Sequence, residues 1–483
     1  MKVNFAISFF VLLMIIPALS LDAQEVKISR EIGIRNEFVY EVLPNDNGNI
    51  LVYRDRGQQF YFDIFNQNLD FVRTADIEFD ERRSNILRVC NLKDKVQIYY
   101  QLSSRDTAFF LRKTFDGNAE YLGQDTLLAL INPDVRSRYR SVLSEDESKL
   151  AIFAVTDNLY TAVFETESGE LIYDNKLRLD RLGDREGFRN FTVANDGNVF
   201  VLFEVDNSAS DANHHFILLK TIDQSAFSLH KIRMPDKFST GVKFTYDNRN
   251  DRVGIAGLYC DRYEGETHGT YILNLPKSDL ATEMEFTYNP YDSELIREMY
   301  GKKRGKDNVI RDQYIRKLYW REDGGLILIT EMQKEYVRRT ALTQGGMLPN
   351  YTSAGSSYRS RGLIDYYHED MMIFAYHPDG RMHWRNVLFK KQFSQDDDGV
   401  FSSFFVYHTP SRIHILYNDE IKNNNTVSEY VIDPIGKFER NTVLNTDYQS
   451  LKLRFQDAIQ IKNNTFIVPS EKNYKLSLVK VVY

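Results

Sequence analysis

"YRSVLSEDESKLAIFAVTDNLYTAVFETESGELIYDNKLRL", residues 139–179, divides into four short β-forming runs separated by polar reversals. "YRSVLSED" gives a strand a, "KLAIFAVTD" a strand b and "LYTAVFET" a strand c. After the turn "ESGE" comes "LIYDNKLRL" as strand d. Aromatic and β-branched residues suit a pleated surface, whereas Gly, Asn, Asp and Ser reverse a chain at low cost. Four antiparallel strands cannot bury both their faces alone, so a unit of this kind must repeat and stack.

The same apolar strand b recurs along the chain. It reads "GNILVY" at 48–53, "KVQIYY" at 95–100, "KLAIFA" at 149–154, "NVFVLF" at 198–203, "RVGIAG" at 252–257, "GLILIT" at 325–330, "RIHILY" at 412–417 and "NTFIVP" at 464–469. Successive runs start 47, 54, 49, 54, 73, 87 and 52 residues apart. Most of these intervals fall near the length of a four-stranded propeller blade with its loops. Turns "FDGN", "ESGE", "PDGR" and "PIGK" recur between c and d. The last unit has a ("LRFQDAIQIK"), b ("NTFIVP") and c ("KLSLVKVVY") but no d, and "VKISREIGI", 26–34, supplies a spare strand at the other end. Joining the two closes the ring and leaves no long open edge. The expectation is an all-β, single β-propeller of about eight four-stranded blades, with seven blades or two stacked β domains as alternatives.

Composition agrees with that architecture. Of the 483 residues, 42% are hydrophobic and 27% charged, and 30 Tyr and 32 Phe enrich strand-forming types. A net charge of −7 does not indicate a general nucleic-acid binder. The start, "MKVNFAISFFVLLMIIPALSLDAQE", has Lys2, an apolar core from Phe5 to Ile16 and small residues at Ala18, Ser20 and Ala23. It reads as a signal peptide over 1–23, too short for a comfortable membrane span. The propeller then occupies 24–483, with insertions at 290–313 and 333–369. No cysteine lies near the cleavage site, which excludes a lipid anchor there. The two cysteines, Cys90 and Cys260, fall in blades 2 and 5 and are expected to be free thiols.

Two intervals are long because of those insertions. "YDSELIREMYGKKRGKDNVIRDQ", 291–313, links blade 5 to blade 6. Asp292 or Ser293 can cap a short helix there, with Leu295, Ile296 and Met299 on one side and Gly301 at its end. "QGGMLPNYTSAGSSYRSRG", 344–362, lies between strands b and c of blade 6 and has no period. Antiparallel order places b–c turns and d-to-a links on one rim, so both insertions emerge together, and the other rim is expected to carry only tight turns. Long loops either cover a blade edge or present function. The two insertions are basic: 297–316 holds seven Lys or Arg against three acids, and 333–361 five against one. Tyrosines are interleaved, the pattern of interface hot spots. The candidate partner-binding residues are therefore Lys302, Lys303, Arg304, Lys306, Tyr336, Arg338, Arg339, Tyr351, Tyr358, Arg359 and Arg361.

Catalytic and metal motifs are weak. His214, His215, His268 and His368 stand near Asp211, Glu266, Glu369 and Asp370 at starts of strand c, and read as solvated loop polar groups. Asp396, Asp397 and Asp398 are consecutive, whereas a calcium loop needs alternate acids, so a capped acidic turn is expected. "HPDGRMHW", 377–384, reads as a c–d hairpin turning at Asp379-Gly380. No G-x-S-x-G nucleophile is present and no cofactor is indicated.

The run "MMIFAYHPDGRMHWRNVLFKKQFSQDDDGVFSSFFVYHTPSRIHILYND", 371–419, with the "AQ" ending of the leader, resembles poorly characterised exported β-propeller proteins of Bacteroidota. The resemblance covers about a tenth of the chain. It implies a periplasmic or outer-membrane-associated propeller with no activity to carry over. A protein partner such as the outer-membrane translocon of type IX secretion is one possible context. "KLSLVKVVY" is needed as a blade strand and leaves no separate sorting module. The function this supports is a non-catalytic interaction propeller. The alternative is a glycan-binding or glycan-hydrolysing propeller with paired carboxylates in its axial funnel.

Overall fold

The computed structural model describes residues 25–483 except 36, 38, 58, 80–83, 105, 132–137, 180–186, 208–213, 223–225, 262–265, 302–307, 338–363, 420, 422–425 and 446–450. The chain folds as an eight-bladed β-propeller with four-stranded antiparallel blades. In blade 3, strands a to d are Arg140–Leu143, Lys149–Val155, Asn158–Glu165 and Leu171–Arg178. Each pairs with the next in antiparallel register, as the opening stretch implies.

Strand b reads as a continuous apolar run because both of its faces meet a neighbouring blade. Val199–Val205 of blade 4 is buried through its first six residues. The cores accordingly lie between blades. Phe200 and Phe216 of blade 4 pack with Phe244 and Val253 of blade 5. Strand d sits outermost and is mostly exposed, as in Tyr121–Ile131 of blade 2.

Ring closure follows the expected route. The last blade supplies Ile459–Lys462, Thr465–Lys472 and Lys475–Val482, and Glu25–Ile28 adds as its fourth strand. Ile32–Gly33 pairs further along the same edge, with Ile32 opposite Leu476. Burial reinforces the hydrogen bonds: Ile32 and Ile34 join Val52, Phe65, Ile467 and Leu478 in the core between blades 8 and 1. Tyr483 donates a 2.8 Å hydrogen bond to Glu429 of blade 7, so the last residue is fixed as well. Cys90 and Cys260 are buried in strand a of blade 2 and strand b of blade 5, and neither is in a disulfide, as expected.

One expectation about the rims fails. The link between strands c and d of blade 5 is not a tight turn. Residues Lys277–Asp279 form a 3₁₀ turn, and Glu283–Glu285 then runs parallel to strand d of blade 4, Ala226–Arg233. That strand covers an edge that would otherwise show unpaired backbone groups, one of the ways sheets avoid edge-to-edge association. The turn at 377–381 does match its reading: Gly380 has φ +82° and its N–H donates to the His377 carbonyl at 2.9 Å.

Candidate functional site

The candidate site is the rim of blade 6 that carries both insertions. Its middle strands are Leu326–Val337 (b) and Ile364–Tyr376 (c), of 12 and 13 residues. The corresponding strands of the other blades run from six to ten residues. Blade 6 therefore overhangs the disc as a β-hairpin. Gln392–Gln395 widens the overhang by pairing with 365–368 of strand c.

The overhang carries a row of aromatic side chains that ends at the exposed Tyr336. Tyr336 and Tyr367 meet edge to face at 5.6 Å, and Tyr367 meets Phe393 at 4.9 Å. Tyr336 is 55% and Val337 74% exposed. Of the eleven candidate partner-binding residues, Tyr336 alone is among the described ones. Lys302, Lys303, Arg304, Lys306, Arg338, Arg339, Tyr351, Tyr358, Arg359 and Arg361 lie outside the described residues.

The net positive count of the insertions needs correcting where side chains are described. Arg311 pairs with Glu266 of blade 5, and Lys334 reaches Glu369 at 3.2 Å and Asp312 at 3.7 Å. Arg316 lies 3.2 Å from Glu331. Acids from neighbouring strands neutralise these cations, which a count along the sequence cannot register. The helix of the first insertion, Ser293–Tyr300, is capped by Asp292, whose side chain accepts from the Leu295 N–H at 2.8 Å. Leu295, Ile296 and Met299 are buried against Ala256, Ile272, Leu328 and Phe374. This helix closes the gap between blades 5 and 6, so that part of the insertion is packing.

Beneath the overhang lies a buried charged network. Glu331, at the end of the apolar run of strand b, is fully buried and 2.6 Å from Lys390, itself fully buried. His368 Nδ1 is 3.2 Å from Glu331, and Ser403 donates to the same carboxylate at 2.9 Å. Lys390 also donates to the His368 carbonyl and the Gln392 side chain, and Gln392 donates to the Asn418 carbonyl of blade 7. Burial pushes the Glu331 carboxyl up, but Lys390, His368 and Arg316 outweigh it and hold the pKa at about 2. Burial pushes Lys390 down, with Glu331 opposing. The network bolts the foot of the overhang to strands of two blades.

His368 is therefore not the solvated loop histidine expected, and neither is His214. In blade 4, His214 is 3% exposed, 3.1 Å from Glu204 and 2.8 Å from the Lys237 carbonyl. The other members of that group stand apart. Glu266 serves Arg311, Glu369 serves Lys334, and Asp370 accepts from the Lys390 N–H. Asp211 lies outside the described residues. No group of three or more His, Cys, Asp or Glu side chains among the described residues is placed to hold a metal ion. The acidic run forms the expected capped turn: Asp397 accepts from the Gly399 N–H and the Ser394 hydroxyl, and Asp396 and Asp398 both have positive φ.

No protein-family model and no curated protein matches the chain. Solved propellers do resemble it in shape. The Dos1 propeller is 10% identical, covers 94% of both chains and superposes with a TM-score of 0.45. The Nup133 β-propeller domain of Vanderwaltozyma polyspora is 9% identical over 95% of this chain and 98% of that one, with a TM-score of 0.40. A family PL25 polysaccharide lyase, an ulvan lyase, is 10% identical over 93% and 95%, with a TM-score of 0.35. At such similarity these matches carry no statement of role for this chain.

Proposed function

We propose that the protein is a non-catalytic interaction propeller of the cell envelope that docks a protein partner through the blade 6 overhang. The observation that carries this reading is the exposed pair Tyr336 and Val337 at the end of a hairpin longer than any other in the ring. Aromatic side chains on a rigid frame are the usual anchors of protein recognition. The apolar leader over 1–23 and the resemblance of 371–419 support export and a periplasmic or outer-membrane-associated location. No helix among the described residues is long and apolar enough to cross a membrane. A partner in an outer-membrane complex, such as the type IX translocon, fits that location.

The test is affinity purification from mildly solubilised envelopes, with and without 338–361. The expected result is one stoichiometric partner that is lost with the segment while the propeller stays folded. Equal recovery in both samples contradicts the reading. A glycan role has a point of attachment among the described residues in a hollow of about 550 Å³ between blades 8 and 1. Tyr40, Glu41, Arg454 and Asp457 line it, giving the aromatic and acidic groups that sugars require. Saturable binding on a glycan array, lost on Glu41→Ala, would favour that role.

A further inference from the structure

Strand b of blade 6, Leu326–Val337, outlasts the strand that covers its inner edge. Strand a, Gln313–Trp320, pairs with it only as far as Gln313 opposite Met332. The last rung is the Gln333 N–H, which donates to the Asp312 carbonyl at 2.9 Å. Asp312 has φ +56°, a left-handed conformation that turns the chain off the edge. The residues before it, Ile310–Arg311, pair instead with Glu266–Thr267 of blade 5. Beyond that rung, no strand among the described residues pairs with 334–337 on this side.

Alternation decides which backbone groups are left over. Successive residues of a strand point their N–H and C=O groups to opposite sides. Gln333 points its N–H towards strand a, so Glu335 and Val337 point theirs to the open side. Lys334 and Tyr336 face strand c, opposite Tyr367 and Asp365. Open ladder groups of this kind are a template for another strand. The far edge of the same hairpin, at 365–368, is covered by Gln392–Gln395. Glu283–Glu285 covers strand d of blade 4 in the same manner. Extended segments of four and three residues suffice at those two edges, and 334–337 has room for one of the same kind.

A hollow of about 420 Å³ adjoins the open edge, lined by Asp312, Tyr314, Gln333, Lys334, Glu335 and Tyr336. Tyr314 and Tyr336 are both more than half exposed. Two carboxylates stand against one ammonium in this lining, and Lys334 is already engaged by Glu369 at 3.2 Å and Asp312 at 3.7 Å. An acidic and aromatic lining suits a cationic side chain, which is attracted by the carboxylates and by the faces of the tyrosine rings.

We infer that the partner enters the overhang as an added β-strand along 334–337, an extended segment that sets one Lys or Arg into this hollow, a mode that rests on the docking role proposed above. Main-chain hydrogen bonds to Glu335 and Val337 supply affinity, and the hollow selects the side chain.

The test uses the full chain and has two arms. Amide hydrogen exchange in the unbound protein should be at least about tenfold faster at Glu335 and Val337 than at Lys334 and Tyr336. Equal rates at all four positions overturn the inference. The second arm is selection from a displayed library of random heptapeptides. Enriched sequences should carry Lys or Arg, and the leading one, made as a synthetic peptide, should bind with saturation. Methylating its backbone nitrogens singly should weaken binding at alternate positions only. Glu335→Pro removes an outward donor and leaves the bonds to strand c, so it should weaken the peptide at least about tenfold without lowering the melting temperature by more than a few degrees. Val337→Pro, at the other outward donor, repeats the measurement if the first variant melts early. No enriched sequence, a methylation scan without a period of two, or undiminished binding to the proline variants overturns the inference. If the envelope partner is lost with 338–361 yet kept by Glu335→Pro, the docking role stands and the added strand falls.

Discussion

Blades 4 and 6 join the same three side chains in the same places, an arginine that reaches water with a buried glutamate and a buried histidine, yet only blade 6 carries an overhang. In blade 4, Arg189 and Glu204 pair, and His214 adds to the carboxylate. In blade 6, Arg316, Glu331 and His368 do the same. Each arginine sits where strand a bulges, fifteen residues before its glutamate. Each glutamate ends the apolar run of strand b. What recurs in two blades belongs to the architecture: it satisfies polar groups where a strand leaves the core. What blade 6 adds is Lys390, a fully buried second cation, and Ser403 from the approach to blade 7. The added groups lie at the foot of the longer hairpin, where leverage on the strands is greatest.

The largest effect that could break this contrast is expected from Glu331→Gln. It leaves Lys390 buried without a counter-charge, and loss of one partner of a buried pair costs about 3–5 kcal/mol. Urea unfolding measures it. Glu331→Met combined with Lys390→Met should recover part of the loss, because no buried ammonium is then left without a counter-charge while Arg316, His368 and Ser403 still lack their carboxylate. The acid limb of stability should change with it. The folded Glu331 pKa of about 2 lies below the unfolded value, so the unfolded state binds the proton first. Its contribution is full above the unfolded value of about 4.3 and is lost as pH falls towards the folded one. Melting temperature followed over that acid range should fall more steeply in the parent chain than in Glu331→Gln.

Glu204→Gln should cost less, about 1–3 kcal/mol, because Arg189 is 34% exposed and can turn to water. Equal losses for Glu204→Gln and Glu331→Gln would erase the distinction between the two blades. The smallest effect on stability is expected from Tyr367→Ala, under about 1.5 kcal/mol for an aromatic contact of this kind. The same change should weaken partner binding, since Tyr367, backed by Phe393, is the ring that Tyr336 packs against. A variant that binds its partner normally would shift the docking role away from this face.

The ring was legible because its repeat is physical: each blade needs one run buried on both faces, and turn residues mark where that run ends. The seam was legible for the same reason, since "KLSLVKVVY" has an exposed edge without "VKISREIGI". The helix at 293–300 could be read from its cap and apolar side. The buried networks could not. "GLILIT" and "NVFVLF" each stop one residue short of the glutamate that matters, and polar residues after an apolar run read as loop. A signal was present in the repeated spacing of Arg189 to Glu204 and Arg316 to Glu331. Lys390 gave none, because the strand that buries it pairs out of blade order. The strand Glu283–Glu285 was missed for a related reason: it pairs across blades, and a repeat shows only pairing within one.

The most direct test of the docking account is site-specific photo-crosslinking in intact envelopes. One photoreactive residue replaces Val337 on the overhang and, in a second chain, Val72 on the outer strand of blade 1, both exposed. One discrete adduct from position 337 and none from position 72 is the expected result. Equal labelling from both positions, or from neither, would contradict the claim that blade 6 presents the partner-binding surface.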